Sequence, residues 1–138
     1  MTQQPLAYLY PEFLESAEAR PIRILAEYLE PLRRFKEQRI QDTVVFFGSA
    51  RVDSRERATR ALRMLRSRGV EIADEHYQGE LTRSRKAVEW ARYYEEAREL
   101  ARLLTSWSRT LPGENHRFVV TSGGGPGITE GANAGARE

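Results

Sequence analysis

Residues 119–130, reading Val-Val-Thr-Ser-Gly-Gly-Gly-Pro-Gly-Ile-Thr-Glu, form the segment of this chain best suited to gripping an anion. Gly123, Gly124 and Gly125 strip every Cβ from a turn, so the backbone can approach a ligand closely and take positive φ without strain. Pro126 fits the first turn of a following helix, where its missing N–H would be unpaired anyway. The free amides and positive end of that helix favour phosphate, and Gly127 and Glu130 lie beside them. Three glycines followed by Pro-Gly lose much backbone entropy on folding, which a close approach to a ligand or to another backbone must offset. A second, weaker turn is Gly48-Ser49-Ala50-Arg51. There Ser49 offers a hydroxyl donor. Arg51 can reach a phosphate or pair with a Glu, and Gly-Ser also suits an ordinary tight turn.

Neither turn is a standard nucleotide fingerprint. Ile128 stands where G-x-G-x-x-G needs its third glycine, and no Gly-Lys-Ser/Thr follows for a P-loop. The chain has no cysteine, which excludes disulfides, thiolate metal sites and a cysteine nucleophile, and fits the cytoplasm. His76 and His116 are far apart, with no Asp or Glu at ligand spacing, so no metal site is expected. Lys36 and Lys86 are the two lysines among 22 basic residues, which leaves 20 arginines against 20 acidic residues. The arginines are spread among glutamates on helical stretches, for example Arg55, Arg57, Arg60, Arg63, Arg66 and Arg68, as on a solvated helix face with local ion pairs. No aromatic-rich strand, zinc spacing or basic tail supports a nucleic-acid patch. No run of about 18 apolar residues indicates a membrane span, and no secretion signal begins the chain.

The elements that would position these turns can be read from periodicity. Residues 1–20 look irregular, apart from a short turn near Phe13-Leu14-Glu15. From Pro21, the apolar stripe Ile22, Leu25, Leu29, Leu32, Phe35 predicts a helix, with Pro31 kinking or dividing it. Residues 43–48 are apolar at consecutive positions and β-rich, which predicts a strand buried on both faces. Asp53 or Ser54 can cap a helix carrying Ala58, Ala61, Leu62 and Leu65, which Gly69 would close. Residues 70–73 can form a brief strand, and 74–82 read as loop. A long helix is expected over 84–108, with Trp90, Tyr93 and Tyr94 packing into a core rather than stacking bases. After a turn at 112–115, a strand over 117–121 and a helix over 126–137 complete the order. Strands separated by helices imply an α/β fold with a parallel sheet whose ligand site lies at the strands' carboxyl ends. Both glycine turns fall there. A helical extension over 1–40 would precede a nucleotide-binding domain over 41–138.

Three stretches together resemble the LOG ("Lonely Guy") family, long labelled putative lysine decarboxylases. They are residues 44–51 (VVFFGSAR), residues 93–101 (YYEEARELA) and residues 123–133 (GGGPGITEGAN). The resemblance spans about residues 40–138 and the helical lead-in of longer bacterial members. The family's turn commonly reads G-G-G-P-G-I-M-E-A-A-N. This chain departs from it at Thr129 and Gly131, and Gly131 is expected to weaken its helix slightly. The resemblance implies a Rossmann-like, usually dimeric protein that hydrolyses the N-glycosidic bond of a nucleoside 5′-monophosphate such as AMP, giving free base and ribose 5-phosphate. It implies no cofactor. The decarboxylase label would need pyridoxal phosphate and a Schiff-base lysine, and neither Lys36 nor Lys86 adjoins a glycine turn.

Gly48, Ser49, Ala50, Arg51, Gly123, Gly124, Gly125, Pro126, Gly127 and Glu130 would line the nucleotide pocket. The family's second motif, P-G-G-x-G-T-x-x-E, and the Arg-Lys segment before it are absent, so no catalytic residue carries over. Glycosidic cleavage needs a carboxylate to meet positive charge on the sugar or to activate water, and Glu130, placed on a helix, is not assigned that task. Two strands alone make a poor doubly wound sheet. The sheet is therefore expected to be incomplete at the C-terminus, and the chain to be the amino-terminal part of a longer protein. A homodimer or homo-oligomer is the expected assembly.

Overall fold

A computed structural model describes residues 6–68 and 75–138. The chain divides into two compact units, 1–41 and 42–138. In the first, a 3₁₀ turn, Ala7–Leu9, precedes α1, Pro11–Glu15, and α2, Arg20–Glu37. The region expected to be irregular thus holds a short helix, with Pro11 at its first position, where no amide is needed. Arg23 ties the two helices together by donating to the Leu14 and Ser16 carbonyls at 2.6 and 2.7 Å. α2 runs through Pro31 as one element, not two. Pro31 withholds an amide from the Glu27 carbonyl, but that turn is exposed and water can donate in its place. The stripe Ile22, Leu25, Leu29, Leu32, Phe35 is exposed along its length.

The second unit contains β1, Thr43–Phe46; α3, Arg55–Arg66; α4, Glu75–Ser108; β2, Val119–Ser122; and α5, Ile128–Ala136. It is an α/β arrangement, mostly helical, around a two-stranded parallel sheet. Thr43 lies opposite Val119, and Phe46 opposite Ser122, so both strands end level. The expected burial of β1 on both faces does not occur: Val45 is 65 % and Phe47 94 % exposed. Among the described residues α4 and α5 are the helices that pack on the strands, and side chains on the other face are exposed.

Asp42 fixes the entry to both strands. Its carboxylate accepts from the Phe118 amide and from Arg117 at 2.9 Å, while its carbonyl accepts from Val119 N at 3.1 Å. The amide bond, more than Arg117, holds the Asp42 carboxyl below its ordinary pKa. Phe118 adopts φ 53°, unusual for an aromatic residue, with its ring 5.0 Å from Trp107. Ser54 caps α3 as the sequence suggests, accepting from the Arg57 amide at 3.3 Å. Ala58 and Leu65 are buried on its inner face, whereas Ala61 is exposed. Gly69 and the possible strand over 70–73 lie outside the described residues.

The loop expected over 74–82 is helical from Glu75, so α4 has 34 residues and is about 51 Å long. Leu81 is buried on the added turns, and Arg68, two residues beyond α3, meets Glu80 at 3.5 Å. These tertiary anchors outweigh the local cost of Gly79. Tyr94 is buried as expected of a core residue, but Trp90 and Tyr93 are about half exposed. The sequence stripe runs around a helix that covers its neighbours along one side only. α5 starts at Ile128 rather than Pro126, because Gly127 takes φ 77° and interrupts the helix there. Among the described residues, no helix is long and apolar enough to cross a membrane.

α5 lies almost on the backbone of α4. A Cβ at Gly131 would sit 2.9 Å from the Tyr94 carbonyl oxygen, and one at Gly135 only 1.8 Å from that of Arg98. Gly131, expected only to weaken its helix, is therefore a contact point. Ala132 and Ala101 are fully buried along the same seam.

Candidate functional site

Level strand ends bring the two glycine turns together. The Ser49 carbonyl accepts from the Ile128 amide at 3.1 Å, so the first amide of α5 is taken by the neighbouring turn. Two of the glycines serve this junction. A Cβ at Gly127 would fall 2.1 Å from the Ser49 oxygen and 2.8 Å from the Ala50 Cα. One at Gly48 would fall 2.8 Å from the Ile128 side chain. The other glycines face outward: a Cβ at Gly123 or Gly124 would meet nothing within 4 Å, and one at Gly125 only the Thr129 hydroxyl at 3.7 Å. Gly124 takes φ 71°, a conformation that suits glycine.

Side chains not singled out by sequence hold the open turn. Ser122 Oγ accepts from the Gly124 amide at 3.2 Å and donates to Asn133 Oδ1 at 2.9 Å. Thr129, 7 % exposed, donates to the Gly125 carbonyl at 2.6 Å, with the Pro126 carbonyl at 3.2 Å. The signal was available in the spacing. Thr129 and Asn133 are four apart on one helix face, and a hydroxyl in a helix's first turn commonly bonds nearby backbone.

Around the turns, Ser49 Oγ accepts from the Arg51 amide at 3.2 Å, which leaves its O–H able to donate. Arg51 is exposed and, among the described residues, pairs with no carboxylate. Glu130 is engaged: its Oε2 accepts from Arg57 Nη2 at 2.6 Å. Arg57 also meets Asp53 at 3.4 Å and lies over the Tyr94 ring. The Glu130 bond is the largest cause holding the Arg57 pKa above its ordinary value. Glu130 thus serves as a clamp between α3 and α5 rather than as a free acid. Among the described residues, no group of His, Asp and Glu is placed to hold a metal. Among the described residues, the strand ends thus offer open glycine backbone, the Ser49 hydroxyl and the Arg51 guanidinium, a set that can meet an anion. Comparison of the chain with protein-family models, with curated proteins and with solved structures finds no match in any of the three.

Proposed function

We propose that this chain is the nucleotide-binding part of a LOG-like nucleoside 5′-monophosphate phosphoribohydrolase, built on a Rossmann-like sheet and working in the cytoplasm. The observation that carries the reading is the pairing of the two turns. Both parallel strands end at one level, the turn after β2 leaves Gly123 and Gly124 open, and the turn of Ser49 and Arg51 meets it at Gly127 and Ile128. An AMP-like ligand would set its phosphate against this backbone, with Arg51 and the Ser49 hydroxyl as side-chain donors. The catalytic arginine and glutamate of the family motif are not among residues 1–138, and Glu130 is committed to Arg57. The chain is therefore expected to bind AMP and to release no adenine. Isothermal titration with AMP, paired with chromatography for free adenine, tests both halves. Absence of binding removes the reading, and adenine release by this chain removes the assignment of catalysis elsewhere.

A second reading is an oligomerising domain, favoured by the exposed Trp90, Tyr93, Leu100, Leu103 and Trp107 on α4. It predicts a concentration-dependent dimer in light scattering, and a strict monomer at high concentration would exclude it.

A further inference from the structure

A second concavity of the second unit lies away from the glycine turns. It is an open cleft of about 970 Å³ between α3, α4 and α5, and none of the glycines lines it. Five arginines border it (Arg55, Arg57, Arg60, Arg63 and Arg98), against Glu56, Glu95 and Glu130. Each of these carboxylates already has a donor. Glu130 accepts from Arg57 at 2.6 Å, Glu56 from Arg60, and Glu95 from the Arg55 amide at 2.9 Å. Arg98 is committed to Glu138. Two guanidinium groups are left over: those of Arg55 and Arg63 are exposed and, among the described residues, pair with no carboxylate.

The leftover pair is ordered by the helix. Arg55, Thr59 and Arg63 fall at i, i+4 and i+8, on one row of α3 facing the cleft. Their backbone positions are about 12 Å apart along the axis, with Thr59 midway between them in the row. Long, flexible guanidiniums at that separation can converge on one elongated anion. Each planar fork matches two phosphate oxygens, so a chain of phosphates suits the row better than a single anion does. The cleft's size is that of a small-molecule site.

We propose that this cleft is a second anion site, separate from the glycine turns, which binds a ligand bearing two or three linked phosphates between Arg55 and Arg63. It shares only Glu130 with the residues assigned to the turns, so it stands whether or not the turns bind AMP.

The test is calorimetric titration of the chain with inorganic triphosphate and with inorganic phosphate at low ionic strength, where exposed charges are least screened. The expected result is triphosphate binding at least tenfold tighter than phosphate binding. That binding should be lost by tenfold or more in Arg55→Gln/Arg63→Gln. Both arginines are exposed and unpaired, so circular dichroism of the double variant should match the wild type. The charge-conserving Arg55→Lys/Arg63→Lys pair should also lose affinity, because ammonium groups lack the bidentate fork. No binding by the wild type, equal binding by the glutamine variant, or full retention by the lysine variant would overturn the proposal.

Discussion

A methyl group added at Gly123 or Gly124 meets nothing within 4 Å, whereas one added at Gly135 would lie 1.8 Å from the Arg98 carbonyl oxygen. The glycines of the turn after β2 and those along α5 are twelve residues or fewer apart, yet their surroundings are opposite. At the turn, missing side chains leave backbone open to solvent and to a ligand. Along α5, they let one helix lie on another's carbonyls, and at Gly127 they let two turns lock. The same residue type therefore marks a candidate binding surface in one place and a close-packed seam in the other.

Substitutions that fill these positions should separate the two regions by stability. Gly135→Ala and Gly127→Ala are expected to cost the most, about 3 kcal/mol or more each. The first forces α5 off α4 by overpacking. The second adds a clash with the Ser49 carbonyl to a backbone at φ 77°. Urea denaturation checks both, and near-wild-type midpoints would mean the helices do not approach this closely. Thr129→Val, nearly the same shape, should cost roughly 1 kcal/mol by leaving the Gly125 and Pro126 carbonyls without their donor. An unchanged midpoint would show that the hydroxyl does not hold the turn.

The strand entries rely on a charge rather than on glycines, which gives them a pH dependence the glycine seam lacks. Asp42 titrates lower in the folded chain than in the unfolded one, chiefly through the Phe118 amide. Its contribution is therefore fully present above the unfolded carboxylate pKa of about 4 and is lost as pH falls through the lower folded value. Denaturation midpoints followed from pH 6 to pH 2 should fall less steeply for Asp42→Asn than for the wild type. Parallel curves would detach Asp42 from acid stability.

The parts of this arrangement legible in the sequence are those with local causes. The β-rich run at 43–48, the Ser54 cap, the order of strands and helices, and the glycine turns at strand ends all follow from residue type and spacing. What was not legible depended on distant partners. Residues 75–82 look like loop until Leu81 is buried and Glu80 meets Arg68. Val45 and Phe47 look like core, yet among the described residues α4 and α5 leave their side of the sheet uncovered. Glu130 looks like a ligand residue until Arg57, 73 residues earlier in the chain, takes it. Gly131 looks like a weak point in a helix until Tyr94 is found against it.

Gly123 gives the sharpest probe, because its neighbour Gly124 needs positive φ while Gly123 has only open space before it. Calorimetric titration of AMP into the wild type and Gly123→Ala, alongside their urea midpoints, tests whether the open turn is a binding surface. The account predicts equal stability within about 0.5 kcal/mol and an AMP affinity at least tenfold weaker in the variant. AMP binding that is equal in the two proteins, or absent from the wild type, would contradict it.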